Sequence, residues 1–428
     1  MEPTFNQLHR LLKDDHDRAN GREPKRHHTV AAYAVEGRLD EGLLDAAWRA
    51  VQRDYPVLLT SFEKGPMGWR WLTDEPIEPA GLQLATSADE AASHRLAQRW
   101  VDTPFRLAEE PLARLGLIQF EETRSVMVLV AEHLVSDGWS TQCLFRRLSD
   151  IYRELRDGGQ PDPLDCESYL DQAGYERAQI AAITADEVAA LAAQVLPALP
   201  VPVPDSVDHL RCRSVQLSYP AAPLAAAARR TLGPFGPSAL VHAAAQQCLA
   251  DVFAPGPAAT LLTMALRYRR RTRAAVGWYV NKVPVAIAAP ESFGRQLARA
   301  LDRHPVPWTW LLATARPDAF GQHASCPYVG FNAMADANRR VAQAATAQPI
   351  GQLRKLSIDT GFWDAALMIA VDTQDDRLQV NLEAKEDFIP TTSLDDLADR
   401  MDGRLRSWAA SPIPAGRATA QGGTVDVS

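Results

Sequence analysis

The sequence predicts an α/β protein of two domains. Short β-branched apolar runs alternate with stretches whose apolar residues recur at helical spacing, as is typical of this class. At 428 residues the chain is long for a single hydrophobic core, and 46% of its residues are hydrophobic. The segment 199–204 (LPVPVP) is stiff because each proline fixes its own φ angle. We therefore expect domains at 1–180 and 209–410, joined by a linker at 181–208.

Charge and composition argue against several classes of protein. The formal net charge of -8 at pH 7 disfavours general nucleic-acid binding. No run approaches the ~18 apolar residues of a membrane-spanning helix, and the N-terminus lacks the apolar core of a signal peptide. The five cysteines are scattered without CxxC spacing, which favours a reducing cytoplasm and argues against a zinc site. A cytoplasmic monomer is expected.

The first half is predicted to alternate strands with amphipathic helices. The pattern indicates strands at 29–35, 57–62, 69–72, 115–120 and 125–131, and helices at 40–54, 91–101 and 141–155. Asp40 is placed to cap the first of these helices. Residues 4–22 are interpreted as a partly helical lead-in, and the pair His27 and His28, in the basic stretch KRHHT, as a solvated approach to the first strand.

The second half continues the same alternation beyond the proline-rich segment. An Ala-rich helix is expected at 185–196. The pattern then indicates strands at 214–219, 258–266, 328–332 and 378–384, a further strand within 357–370, and helices at 223–232, 237–253 and 394–408. From 411 to 428 the chain is rich in Ser, Pro, Gly and Ala and is expected to be disordered.

The stretch 132–140 (EHLVSDGWS) contains the candidate catalytic residues. It follows the buried strand at 125–131 and precedes an amphipathic helix, with a turn at Asp137-Gly138 between them. A histidine, His133, therefore emerges from a rigid strand beside a loop, where a side chain can meet a substrate. A histidine followed four residues later by aspartate also occurs by chance, so this motif alone permits a purely structural interpretation.

The segment 132–155 resembles the HHxxxDG core of the condensation domains of nonribosomal peptide synthetases, members of the chloramphenicol acetyltransferase-like superfamily. Three further stretches resemble the same family: YPVLLTSF at 55–62, PFRL and PLARL within 104–115, and GWYVNKVPV at 277–285. Glu132 stands where the family has its first histidine, whereas His133 matches the second. The resemblance implies two acetyltransferase-like subdomains, each a mixed sheet flanked by helices, arranged as a V-shaped pseudo-dimer.

The resemblance also implies roles for individual residues. His133 is the residue that the family uses in catalysis, and histidine suits the removal of a proton from an incoming nucleophile. The Gly138 amide is placed to stabilise an oxyanion, because glycine lets the chain come close. Asp137 and Arg267 are expected to form a structural salt bridge between the halves. A substrate channel is expected to include Glu132, Trp139, Ser140, Asn332 and Trp363.

These observations predict a free-standing condensation enzyme of natural-product biosynthesis. It would transfer an acyl group from the phosphopantetheine thioester of an acyl or peptidyl carrier protein, acting in trans, to an amine or alcohol. No metal and no cofactor of its own are expected, and the lack of a GxSxG motif favours direct attack over an acyl-enzyme. Coenzyme A as the donor is an alternative, as is a non-catalytic domain that recruits other enzymes to an assembly line.

Overall fold

The computed structural model describes most of the chain on both sides of the predicted linker. The described residues are 1–21, 23, 26–184, 186–188, 190, 212–253, 259–267, 270–287, 290–302, 306–315, 317, 320–321, 328–333, 350, 352–356, 358, 365–374, 376–386 and 388–410. Most of the Ala-rich helix expected at 185–196, most of the linker, Trp363 and the tail at 411–428 lie outside them. Within the described part, no helix is both long and apolar enough to cross a membrane.

The described helices include those predicted at 40–54, 91–101, 141–155, 223–232, 237–253 and 394–408, together with three at 172–181, 290–302 and 308–315 that were not predicted. They are α1 (Phe5–Ala19), α2 (Glu41–Asp54), α3 (Glu90–Asp102), α4 (Gly138–Arg156), α5 (Gln172–Ala181), α6 (Ala221–Leu232), α7 (Pro237–Val252), α8 (Pro290–Asp302), α9 (Trp308–Ala315) and α10 (Thr391–Ala410). Asp40 caps α2 as expected, since its carboxylate accepts a hydrogen bond from the Leu43 amide at 2.9 Å.

The strands form two main sheets and one small hairpin. They are β1 (His28–Glu36), β2 (Ser61–Gly65), β3 (Gly68–Leu72), β4 (Gln83–Thr86), β5 (Ala113–Glu121), β6 (Arg124–Glu132), β7 (Cys212–Pro220), β8 (Ala259–Ala265), β9 (Val280–Ala286), β10 (Val329–Ala333), β11 (Gln352–Lys355), β12 (Leu367–Gln374) and β13 (Arg377–Lys385). The first sheet has the order β11-β1-β6-β5-β4, and the second has the order β7-β13-β12-β10-β8-β9. Strands β2 and β3 pair as the predicted hairpin.

Each main sheet has its own hydrophobic core. Strand β6 is buried over almost its whole length and packs with β1, α2 and α4 in the first core. Helices α6, α7, α8 and α10 cover the second sheet and bury its apolar residues in the other core. The second sheet mixes parallel and antiparallel pairs, because β10 runs parallel to both β8 and β12.

One strand from beyond the linker belongs to the first sheet. β11 pairs antiparallel with β1, with Tyr33 opposite Lys355. The chain therefore returns to the first sheet after building most of the second. Such a long-range pairing leaves no periodic signal in the sequence, because it depends on which sheet edge is open.

Two local expectations are wrong. The strand predicted at 57–62 is a 3-10 helix at Pro56–Leu59, which precedes β2. A proline at the first helical position fixes a φ angle suited to a helical turn, and here that preference prevails over the β-branched composition. His27 and His28 are not solvated: they are 9% and 7% exposed. His28 lies within β1, and its ring meets the Phe105 ring edge-on.

Helix α1 is a continuous helix that contacts both halves, whereas a partly helical lead-in was predicted. Thr4 and Gln7 form a capping box at its start, and the Gln7 side chain donates a hydrogen bond to the Leu134 carbonyl at 2.8 Å. The Asn6 side chain donates to the Val280 carbonyl at 2.8 Å. The helix thereby links the loop after β6 with the first residue of β9.

Candidate active site

Asp137 lies at the junction of the two halves and caps α4. Its Oδ1 accepts hydrogen bonds from the Ser140 amide and the Ser140 hydroxyl, both at 2.7 Å. Arg267 Nη2 donates to Oδ1 at 2.9 Å and to Oδ2 at 3.1 Å. The Tyr279 amide donates to Oδ2 at 3.0 Å. Both oxygens of this buried carboxylate are therefore satisfied by donors from α4 and from the second half, which suits a structural role.

The Arg267 guanidinium organises the loop that leads to β9. Its Nη1 donates to the Thr272 carbonyl at 2.8 Å and to the Ala275 carbonyl at 2.6 Å. The expected salt bridge is present, with Nη2 contacting both carboxylate oxygens while Nη1 donates to the two backbone carbonyls. The Arg267 and Asp137 side chains are 2% and 1% exposed, so solvent screens their attraction very little.

Ser140 belongs to this junction and does not line a channel. Its hydroxyl oxygen accepts a hydrogen bond from the Gly277 amide at 3.1 Å and lies 2.9 Å from the Gly277 carbonyl oxygen. A Cβ at Gly277 would come within 2.2 Å of the Tyr169 ring, so only glycine permits this approach. The interpretation of Ser140 as a local hydrogen-bonding residue agrees with this geometry, whereas its expected place in the channel does not.

His133 stands just beyond the end of β6, at the boundary between the halves. Its amide donates to the His27 carbonyl at 2.8 Å, which continues the pairing of β6 with β1. Its ring packs against Trp278 of the second half, with centroids 4.5 Å apart and an interplanar angle of 47°. The ring is partly exposed and lines a large cavity.

Trp278 was not among the predicted site residues. Its stretch, GWYVN, was noted only as a resemblance. The signal that could have identified it is its position next to Gly277, which the junction requires to be small. Sequence spacing alone does not show that the indole would reach an imidazole 145 positions earlier in the chain.

The cavity has a volume of 1360 Å³ and is lined by both halves. His133, Gly138 and Trp139 come from the first half, and Asn332 comes from β10 of the second. Three of the predicted channel and catalytic positions thus meet Asn332 at one cavity. Such a volume exceeds that of a typical small-molecule pocket, roughly 300–1,000 Å³, and leaves room for two reactants.

Glu132 does not line this cavity, contrary to expectation. It is 2% exposed, and as the cross-strand partner of His28 it shares a face of the sheet with that residue. Its Oε2 lies 3.6 Å from His28 Nε2, and its Oε1 lies 3.6 Å from Arg10 Nη2. Arg10 also pairs with Asp14 one turn along α1.

Burial governs the protonation of this cluster. It raises the pKa of Glu132 to about 7, although the nearby Arg10 cation opposes the shift. Burial also lowers the pKa of His28 to about 4, against the hydrogen bond between its Nδ1 and the Val101 carbonyl. Between about pH 4 and about pH 7, these pKa shifts favour a neutral Glu132 carboxyl next to a neutral His28 imidazole.

Comparisons with known proteins found relatives in sequence and in fold. Residues 20–188 match the model of the Condensation domain family. The chain is 34% identical over 158 residues to the phosphinothricin tripeptide synthetase PhsB of Streptomyces viridochromogenes, covering 35% of this chain and 13% of that protein. The chain thus spans only a small part of this relative.

Solved structures share the fold over nearly the whole chain. The X-domain from teicoplanin biosynthesis, in its complex with OxyB, has a TM-score of 0.75 at 20% identity, covering 96% of this chain and 93% of that one. A mutant starter condensation domain of the rhizomide synthetase RzmA, in complex with C8-CoA, has a TM-score of 0.72 at 16% identity, covering 96% and 94%. These likenesses confirm the predicted α/β fold class.

Removing one partner of the junction ion pair should destabilise the protein strongly. Arg267→Met leaves the Asp137 carboxylate buried without its counter-charge, which costs on the order of 3–5 kcal/mol. Asp137→Asn combined with Arg267→Met should cost less than the sum of the single changes, because the charges interact. Denaturant unfolding measures all three free energies. Arg271→Met, at an exposed arginine, is the control; additive single effects would contradict the coupling.

Glu132→Gln should stabilise the protein more at pH 8 than at pH 5. Because folding raises the pKa of Glu132 to about 7 from 4.5, the folded state holds a proton that the unfolded state releases. The contribution of Glu132 to the free energy of unfolding therefore falls as the pH rises from about 4.5 to about 7. Glutamine stays neutral over this range and removes the loss. Thermal unfolding across this range measures it, with the exposed Glu122→Gln as control. A difference independent of pH would contradict the assignment.

Proposed function

We propose that this chain is a member of the Condensation domain family, whose model matches residues 20–188, and that it transfers an acyl group from a carrier-protein phosphopantetheine thioester to an amine or alcohol. The observation that carries the proposal is the position of His133. Its ring lines a 1360 Å³ cavity that both halves enclose, next to Trp278 of the second half. A base at such a junction can meet two reactants that enter one cavity.

In the proposed reaction, His133 takes the proton of the incoming amine or alcohol. The nucleophile's lone pair then forms a bond to the thioester carbonyl carbon and gives a tetrahedral oxyanion. When this collapses, the carbon–sulfur bond breaks and the thiolate leaves, taking up the proton that the imidazole holds. No group of the protein changes its covalent state, so the enzyme is ready for another cycle.

The start of α4 supports the oxyanion in this proposal. Gly138 is the first residue of α4, so its amide has no carbonyl partner within the helix. It is exposed and lines the same cavity as His133. The positive end of the α4 dipole adds to the attraction for developing negative charge. Asp137 caps this helix from behind and takes no part in proton transfer.

Coenzyme A is the alternative donor, since a likeness of fold to a domain that was solved with C8-CoA makes it worth testing. A carrier protein and coenzyme A present the same thioester on the same arm. They differ because only the carrier protein brings a protein surface that can bind next to the arm. Equal rates with acyl-coenzyme A and with the matched acyl carrier protein would favour the coenzyme A-dependent alternative.

A non-catalytic recruiting domain is the second candidate. Glu132 in place of the first histidine of the motif favours it, together with a fold like that of the X-domain, which was solved with OxyB. Against it stands the burial of Glu132, which is not among the residues that line the cavity with His133. The two candidates make opposite predictions for acyl transfer.

His133→Ala should lower acyl transfer by about 10²- to 10⁴-fold, the usual loss when a general base is removed. Mass spectrometry of the product formed from acyl carrier protein and a panel of amine and alcohol acceptors measures it. His94→Ala, on α3, is the control.

Two results would contradict this proposal. Unchanged turnover of His133→Ala with a productive substrate pair would assign the imidazole a structural role. No transfer by the wild-type chain across the panel, with capture of a partner enzyme, would favour the recruiting domain.

A further inference from the structure

Part of the cavity that contains His133 is lined by the hydrophobic core of the second half. Leu262 of β8 and Phe331 of β10 belong to this core, and as cross-strand partners they share one face of the sheet. Both line the cavity with Leu297 of α8, although the three are only 7%, 1% and 4% exposed. We name this part the apolar limb and define it by six lining residues: Ala225, Ala239, Leu262, Met264, Leu297 and Phe331.

The helices that cover this face of the sheet contribute small side chains to the limb. Ala225 of α6 and Ala239 of α7 line the cavity and are half-buried. Protein interiors leave few voids larger than a water molecule, because side chains of neighbouring elements interdigitate. An open space beside a hydrophobic core is therefore typical of a site that a ligand fills.

His242 also lines the cavity, and it adds no charge to the limb. Its ring stacks on Phe331 with centroids 4.1 Å apart and an interplanar angle of 8°, and its Nε2 lies 2.7 Å from the Thr260 hydroxyl oxygen. Burial lowers the pKa of His242 to about 3, so the imidazole is neutral near pH 7. The limb therefore suits an uncharged apolar group, since an ion placed there would lose its hydration.

The limb lies within reach of the proposed reaction centre. Met264 is the cross-strand partner of Asn281, and Trp278, whose ring contacts His133, precedes Asn281 by three residues. Antiparallel partners have Cα atoms ~5.5 Å apart or less, and an extended chain spans at most ~3.6 Å per residue, so the Cα atoms of Met264 and Trp278 are within about 16 Å. One elongated ligand can therefore place a reacting carbon at His133 and an apolar tail in the limb.

We propose that the apolar limb binds the acyl chain of the thioester donor, and that the protein thereby selects donors with an aliphatic acyl group. The inference rests on the proposed function, because it takes the cavity as the site of acyl transfer. In a thioester the arm and the acyl chain leave the carbonyl carbon on opposite sides. When the arm reaches His133 from outside, the acyl chain must continue into the cavity, whereas an acceptor can keep the rest of its structure towards solvent.

The test measures how binding depends on the length of the acyl chain. The probes are the N-acetylcysteamine thioesters of acetate, butanoate, hexanoate and octanoate, titrated by calorimetry into the full chain. The affinity of the wild type should rise by about fourfold for each methylene that enters the limb. His133→Ala should show the same rise, because the imidazole is not part of the limb.

Substitutions in the limb should reduce this dependence on length. At least one of Ala225→Leu and Ala239→Leu should lower the rise in affinity, because the larger side chain occupies the space and leucine is compatible with a helix. Ala226→Leu is the matched control. Ala226 is the next residue of α6 and is also half-buried, but it is not among the residues that line the cavity. This control should leave the rise unchanged.

Three results would overturn the proposal: an affinity of the wild type that does not depend on chain length, a rise that both limb variants leave intact, and a rise that the control reduces as much as they do. A rise with chain length for primary alkylamines, with none for the thioesters, would assign the limb to the acceptor and would also overturn it. The proposed function fails separately, if the wild type transfers no acyl group while the rise and its loss in the limb variants remain.

Discussion

The buried ion pair between Asp137 and Arg267 is the constraint on which the site depends. Two charges are removed from water at the junction of the halves, which is unfavourable unless hydrogen bonds within the protein replace much of the lost hydration. The Asp137 oxygens receive bonds from Ser140, Arg267 and the Tyr279 amide, and Arg267 also binds two carbonyls of its own loop. The pair thus unites a helix cap in one half with a loop in the other.

This junction positions the chemistry without contributing a reacting group. The Gly277 backbone packs against Ser140 and Tyr169, and this contact delivers Trp278 to the face of the His133 imidazole. The same helix cap orients the Gly138 amide at the cavity wall. A substitution in the junction should therefore impair both stability and the geometry of the proposed base, whereas a substitution at His133 should affect the proposed reaction alone.

Glu132, which stands where the motif has its first histidine, is buried beside β1 and α1. The carboxyl is buried in a cluster with His28 and Arg10, and burial raises its pKa to about 7. A neutral Glu132 exerts little electrostatic influence on the neighbouring imidazole. Glu132 thus contacts the cavity wall only through neighbours such as His28, whereas His133 lines the cavity directly.

The sequence by itself determined most of the local structure. Hydrophobic periodicity located β6, α4 and β13, because these depend on local alternation, whereas the strand expected within 357–370 overlaps only the start of β12. The motif spacing placed His133, and the resemblance paired Asp137 with Arg267. Only the tertiary structure decided that β11 completes the first sheet, that His28 is buried against Glu132, and that the core of the second half lines part of the cavity. Those arrangements depend on strand register and on contacts between distant segments, which no periodicity records.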